Sequence, residues 1–290
     1  MLKEIVFVIA DEGQARAAEV MRRNFAEEER RWKENIKIVP YYEEAEGCGE
    51  VSRTDCLKEE ALFITDTEKA LEELKRDGKY VIALLHEENK EQNLSGVSYA
   101  VTDIAELTPD SLLMVYKRLK GEPWEILETT RCLIREMTVE DVDEFYKIYA
   151  EPSITCYMDP LFEETKQERE YVSEYIEKIY GFYGYGLWSV VEKKEHKVIG
   201  RAGISWREGY DIPELGFVIA VPYQRQGYAY EVCTAILEYG KEELQFDKIQ
   251  ALVKNGNTAS VLLCEKLGMK WYDTVSDGES VYERYVTSFL

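Results

Sequence analysis

Residues 214–231 read Glu-Leu-Gly-Phe-Val-Ile-Ala-Val-Pro-Tyr-Gln-Arg-Gln-Gly-Tyr-Ala-Tyr-Glu. An apolar strand runs into the string Gln224-x-x-Gly227-x-Ala229, and a helix begins at once. The first turn of a helix carries unpaired N–H groups and a partial positive charge, so it can hold a phosphate without a basic side chain. Gly227 lets the backbone approach an anion, and Ala229 keeps the first turn uncrowded. The chain has 36 Lys and Arg against 57 Asp and Glu, a net charge of −21, so an anionic ligand needs such a local trap. Taken alone, the string also serves as a plain strand-to-helix turn. A second block follows in residues 253–269, Val-Lys-Asn-Gly-Asn-Thr-Ala-Ser-Val-Leu-Leu-Cys-Glu-Lys-Leu-Gly-Met. There Asn257 suits an N-cap for the helix opening at Thr258.

The two blocks together resemble the GNAT N-acetyltransferase family, particularly its ribosomal-protein N-terminal acetyltransferase branch. Gln224, Gly227 and Ala229 stand at the defining positions of the family's Q/R-x-x-G-x-G/A turn. Asn257, Ser260, Glu265, Lys266 and Gly268 match its N-x-x-S/A…E-K-x-G-F block, with Met269 in place of the usual Phe. Residues 134–142 and 150–154 extend the likeness, which spans 131–290. It implies an α+β domain with a mixed, largely antiparallel sheet and acetyl-CoA as co-substrate. Phe217, Val218, Ile219, Gln224, Arg225, Gln226, Gly227, Tyr228, Ala229, Tyr230, Asn257 and Ser260 would then contact the coenzyme.

In the family the fourth strand of the domain, residues 214–220 here, parts from the fifth near Val221-Pro222, and pantetheine lies in the gap. Pro222 suits that place because it donates no ladder hydrogen bond. A backbone N–H near Val218–Ala220 would hold the oxyanion of the tetrahedral intermediate. Asn257 would hold pantetheine or brace the gap, which is compatible with capping. The resemblance makes Glu214 the first choice for the base that relieves the amine of its proton; the plainer reading is an exposed glutamate at a strand start. Cys264 stands where many members place a Tyr that protonates the leaving thiolate. It is either that acid or a small buried hydrophobe. If it is inert, Tyr272 or Tyr282 is the alternative. Glu231 reads as an acid placed for the first helical turn. The 21 tyrosines fall mostly in the second half. Tyr146, Tyr149, Tyr157, Tyr175, Tyr180, Tyr183 and Tyr185 lie where the family builds its acceptor site, and either line an aromatic channel or pack.

Helices and strands must position these groups. In the second half, strands are expected over 133–136, 187–191, 198–205, 214–219, 249–253, 270–275 and 280–287. Helices are expected over 139–149, 163–180, 227–243 and 258–267. The first half alternates strands (5–9, 36–39, 62–65, 80–85, 97–101) with helices (14–34, 68–76, 109–119), which predicts a small α/β domain with a mostly parallel sheet. Glu27/Arg31 and Glu29/Lys33 would brace its first helix. Domains of 1–125 and 130–290 follow, joined by a short segment after Gly121-Glu-Pro-Trp124. The first has a cadence resembling haloacid-dehalogenase or receiver domains. Asp11 is followed by Glu12 and Gly13, however, so the second aspartate of a phosphatase is missing. A non-catalytic regulatory, dimerising or substrate-presenting role is expected, which keeps a homodimer open.

The acidic balance argues against nucleic-acid binding, which needs clustered Lys and Arg. No apolar run approaches the roughly 20 residues of a membrane span. The opening residues lack a secretory leader's apolar stretch, and the 6 cysteines form no CxxC pair. Reduced thiols in a cytoplasmic protein are therefore expected. Cys48, Cys56, Asp55 and His86 match no metal-ligand spacing, so no metal is expected. The reading is an acetyl-CoA-dependent N-acetyltransferase acting on a primary amine, of a small molecule or of a protein or peptide N-terminus, by direct attack. The alternative is a non-catalytic acyl-CoA-sensing or partner-binding module.

Overall fold

The computed structural model describes residues 2–24, 36–40, 60–278 and 280–288. They fall into two compact units, Met1–Glu122 and Pro123–Leu290. Residues 25–35 and 41–59 lie outside the described set, and with them the Glu27/Arg31 and Glu29/Lys33 pairs, Cys48, Asp55 and Cys56.

The first unit is a five-stranded sheet in the order β2-β1-β3-β4-β5. The strands are β1 (Glu4–Ile9), β2 (Ile36–Pro40), β3 (Ala61–Thr65), β4 (Tyr80–Leu84) and β5 (Ala100–Val101). Every pairing is parallel. Strands β1 and β3 are buried along their whole length, as continuous apolar runs in a parallel sheet covered on both faces must be. The helices are α1 (Glu12–Asn24), α2 (Glu68–Arg76) and α3 (Pro109–Leu119). Thr67 caps α2 by accepting from the Ala70 N–H, and Thr108 and Ser111 form a capping box on α3. Asp66, at the end of β3, is 1% exposed and accepts from the N–H groups of Ala10 and Asp11. Its carboxylate thus ties the β1 end to β3.

The second unit is an eight-stranded sheet in the order β12-β13-β11-β10-β9-β8-β7-β6. Its strands are β6 (Glu125–Glu128), β7 (Cys132–Arg135), β8 (Leu187–Glu192), β9 (Lys197–Ser205), β10 (Glu214–Ile219), β11 (Lys248–Lys254), β12 (Lys270–Asp277) and β13 (Ser280–Ser288). All pairs are antiparallel except β10 with β11. The expected mixed, largely antiparallel α+β layer is what the chain forms. Residues 125–128, read from sequence as part of the connection, are an edge strand of this sheet. The α-helices of four or more residues are α4 (Val142–Tyr149), α5 (Pro152–Thr155), α6 (Thr165–Tyr175), α7 (Tyr228–Glu242) and α8 (Thr258–Lys266). The helix expected over 163–180 changes to a wider π turn at Ile176–Tyr180. Tyr180, at its end, is fully buried; its hydroxyl accepts from the Met137 N–H and donates to the Leu187 carbonyl.

Gly203 lets β8 and β9 meet closely. A Cβ there would stand 2.0 Å from the Gly186 carbonyl oxygen and 2.8 Å from the Leu187 Cα, both backbone atoms that cannot swing aside. Gly203→Ala is therefore expected to lower the unfolding free energy by about 1–3 kcal/mol, read from the denaturant midpoint. An unchanged midpoint would show that the β8–β9 spacing relaxes freely.

Candidate active site

Strand β10 is bonded on one side and open on the other. Against β9 its register is complete from Glu214 to Ile219. Against β11 it pairs only at Glu214↔Gln250, where the Gln250 N–H donates to the Pro213 carbonyl at 2.9 Å. Beyond that residue the parallel strands part. The opening thus begins at the start of β10, well before the Val221-Pro222 position expected from sequence. The Ala220 N–H donates to Ile199 O at 2.7 Å. Strict alternation along an antiparallel ladder then turns the Phe217 and Ile219 N–H groups toward the gap, and the Val218 and Ala220 N–H groups toward β9. A cavity of about 690 Å³ includes this gap, lined by Glu214, Gly216 and Phe217 of β10, residues 251–254 of β11, and Asn257, Ser260 and Tyr282.

At the far end of β10 the chain makes a 3-10 turn at Val221–Tyr223 and enters α7 through two left-handed residues. Arg225 has φ 57° and Gly227 φ 86°. Glycine suits the second because a Cβ is strained at positive φ. The Gln224 side chain donates to Ile219 O at 2.8 Å, and that of Gln226 to Pro222 O at 2.6 Å, so both amides brace the turn from within. The first α-helical bond of α7 is Glu231 N–H to Gly227 O. The N–H groups of Tyr228, Ala229 and Tyr230 precede it and are the orphan donors of the helix start.

The first turn of α7 holds a cation that the sequence reading passed over. Glu231 accepts from both the backbone N–H and the Nε of Arg131, at 2.8 and 2.7 Å. The same guanidinium donates to Gln226 O and stacks 3.9 Å over the Tyr228 ring. Burial pushes the Glu231 carboxyl up, but the hydrogen bonds from Thr129 and Arg131 outweigh it and hold the group below the ordinary carboxylate range. Glu231 is thus an anchor for the turn, as its position suggested.

Glu214 sits at the closed end of the gap with its side chain 16% exposed. Burial raises its carboxyl above the ordinary range, against the opposing pull of Arg207, whose Nη1 lies 3.6 Å away. Arg207 also donates to Asp277 at 2.7 Å and lies 5.1 Å from the Tyr282 ring centre. Asn257 caps α8 by accepting from the Ser260 N–H at 3.2 Å, and both residues face the cavity. Val218 and Ile219 are buried and their side chains line no part of the cavity; of the two, only Ile219 turns its N–H toward the gap.

Cys264 is not brought to the site. It is fully buried in the hydrophobic core of the unit and lines no part of the cavity. Burial pushes its thiol up to about 12. Of the two alternative phenols, Tyr282 lines the cavity, while Tyr272 is 61% exposed and does not. Among the tyrosines expected around an acceptor, Tyr149 and Tyr157 line the cavity, and so does Tyr171, which the sequence reading missed. The Tyr175 hydroxyl accepts from the Leu187 N–H, and the Tyr146 hydroxyl donates to Phe162 O, so both hold backbone. Tyr185 and Trp206 bond to one another. Among the described residues no group of three or more His, Cys, Asp or Glu is placed to hold a metal ion, and no helix is long and apolar enough to cross a membrane.

Comparison with known proteins places this geometry. Residues 131–270 match the family model described as "Acetyltransferase (GNAT) domain". The chain is 33% identical over 159 residues to the "Uncharacterized protein YkkB" of Bacillus subtilis (strain 168), covering 52% of this chain and 91% of that protein. It is 25% identical over 168 residues to the "Uncharacterized N-acetyltransferase p20" of Bacillus licheniformis, covering 57% and 94%. A GNAT-family acetyltransferase structure from Bacillus anthracis superposes with a TM-score of 0.48 at 23% identity, over 57% of this chain and 97% of that one. Through its second unit, the chain belongs to the GNAT acetyltransferase family.

Proposed function

We propose that the chain moves the acetyl group of acetyl-CoA to a primary amine by direct attack in a ternary complex. The observation that carries this reading is the one-sided parting of β10 from β11, which runs from Glu214 to the open first turn of α7. Pantetheine would pair with the exposed Phe217 and Ile219 amides as a strand would. The pyrophosphate would rest on the N–H groups of Tyr228, Ala229 and Tyr230, with Arg131 close by. That direction carries the thioester toward Glu214. The coenzyme contacts of the turn would be made by backbone, since Gln224 and Gln226 spend their amides inside it.

The amine must lose a proton, and Glu214 accepts it, directly or through a water. The nitrogen lone pair then attacks the thioester carbon. A gap-facing amide of β10 holds the resulting oxyanion. On collapse the C–S bond breaks, Tyr282 is assigned to protonate the departing thiolate, and the second proton, shed by the nitrogen as it becomes an amide, restores the phenol. The test is to follow thiol release from acetyl-CoA with and without a panel of amines. Amine-dependent release supports transfer. Acetyl-CoA binding with no release for any amine would replace this reading with a binding module.

The place of Cys264 makes a further prediction. Cys264→Ala should leave turnover within about threefold of the parent, whereas removing a general acid costs about 10²–10⁴-fold. A drop of that size in steady-state turnover would return the acid's role to the thiol.

A further inference from the structure

Arg201, on β9, is 9% exposed and lines the same cavity. Its Nη2 donates to the Tyr149 hydroxyl at 2.6 Å, and its Nε finds no acceptor. The guanidinium lies 4.7 and 5.0 Å from the ring centres of Phe145 and Tyr149. Among the described residues no carboxylate comes within 4.0 Å of it. The half-buried arginines nearby differ. Arg207 reaches Asp277 and Glu214, and Arg135 is held by Asp141 at 2.7 Å. A guanidinium has five donors and no deprotonated form, so burying one against a single neutral hydroxyl leaves it without a counter-charge. Ring faces compensate only in part.

Its position says which ligand could supply that charge. Arg201 pairs with Val218, and Ser205 with Glu214, across β9 and β10. Side chains at these alternate positions share one face of the sheet. Val218 packs there on Ile148 and Tyr149 of α4. Helix α7 covers the other face, where a Cβ on Gly240 would touch Ile204. Arg201 therefore stands a strand away from the β10–β11 gap and on the opposite face from the helix proposed to hold the donor's phosphates. Four residues of register separate it from Glu214, about 13 Å along the strand. Between them Leu187 lies over Gly216, its Cδ2 only 3.1 Å from where a Cβ would stand, and both line the cavity. The floor is thus apolar in the middle, with Glu214 at one end and toward the other a cation that makes no direct ion pair; the buried Glu168 carboxylate of the same cavity accepts from the Phe162 N–H instead.

We propose that Arg201 receives an anionic group of the acceptor. The substrate class is then small amines that also carry a carboxylate or phosphate, free amino acids foremost, rather than polyamines or uncharged alkylamines. This rests on the acetyltransferase reading and narrows its acceptor. The acidic surface of the chain draws the amine, and the buried cation selects among amines by their second charge.

The test uses the full chain and matched pairs of acceptors: amino acids against their carboxamides, and aminoalkyl phosphates against the corresponding amino alcohols, with spermidine alongside. Thiol release gives kcat/KM, and calorimetry with CoA present gives binding independent of turnover. An anionic member of each preferred pair should exceed its neutral partner by roughly 10- to 100-fold, the size of a charge-assisted hydrogen bond. In Arg201→Met that ratio should fall to near one, and the loss should appear in KM. Tyr149→Phe, which keeps the arginine but frees Nη2, should change the ratio without removing it. Retention of the acetyl-CoA thermal shift shows that either variant is folded. Equal handling of acid and amide by the parent overturns the proposal, as does a preference that survives in Arg201→Met. If neutral amines turn over and anionic ones do not, the acceptor assignment fails while the transferase reading stands. If acetyl-CoA itself produces no shift in the parent, both fail.

Discussion

Replacing Glu214 with Gln is expected to lower kcat by about 10²–10⁴-fold while leaving the affinity for acetyl-CoA unchanged. The carboxylate stands where β10 is still paired to β11, at the end of the gap remote from α7. There it would meet the attacking amine and stand clear of the place proposed for the donor's phosphates. Its carboxyl is raised because burial outweighs the pull of Arg207, which helps a base work nearer neutral pH. Only the ionised form accepts a proton. As pH falls through the raised value, Glu214 becomes protonated and kcat/KM should drop, at a higher pH than an ordinary carboxylate would give. That limb should vanish in Glu214→Gln. Removing the opposing cation with Arg207→Met should move it to still higher pH. The same shift has a stability sign. A carboxyl raised in the folded state favours folding below its unfolded value and loses that contribution as pH rises through the folded one. Relative to the parent, Glu214→Gln should therefore be more stable at neutral than at acid pH. Turnover that is unchanged across the pH range would remove Glu214 from the mechanism.

What could be read from sequence was what local chemistry decides. Helix α2 ends at Arg76, as Gly78 two residues on leads one to expect, because left-handed glycines act within a turn. The motif turn was legible for the same reason: a glycine before a helix start fixes both conformation and open donors. Strand β6 was not legible. Glu-Ile-Leu-Glu is four residues with charged ends, and only its pairing with β7 makes it a strand. Cys264 shows a different limit. A motif assigns a position along α8 but not the side chain's depth. Asn257 and Ser260 open onto the cavity, while Cys264, one turn beyond Ser260, is sealed in the core. Arg201 was invisible because its significance is a missing partner, and the absence of a counter-charge is a property of packing in three dimensions. Arg131 and Glu231 are 100 residues apart, so their pairing likewise waited for the fold.

Gly227→Glu should abolish the thermal shift that acetyl-CoA gives the parent. At a hundredfold excess over its dissociation constant, a ligand adds about 2.7 kcal/mol, which raises Tm by several degrees. Steric collision is not the cause, because the nearest atom to a Cβ at this site is the Arg131 Nη2, at 3.4 Å. Two other effects act together. The position has φ 86°, and a non-glycine residue in the left-handed region costs roughly 1–2 kcal/mol, so the turn should relax away from its open form. The new carboxylate would also pair with Arg131 and lie against the orphan N–H groups of α7, occupying with protein charge the place proposed for the pyrophosphate. Gly227→Asn separates the two effects. Asparagine tolerates the left-handed region better than most residues and brings no charge, so it should keep part of the shift. A full shift in Gly227→Glu would mean that the pyrophosphate does not rest on this turn. A shift lost equally in both variants would mean that backbone conformation alone, not charge, governs the donor site.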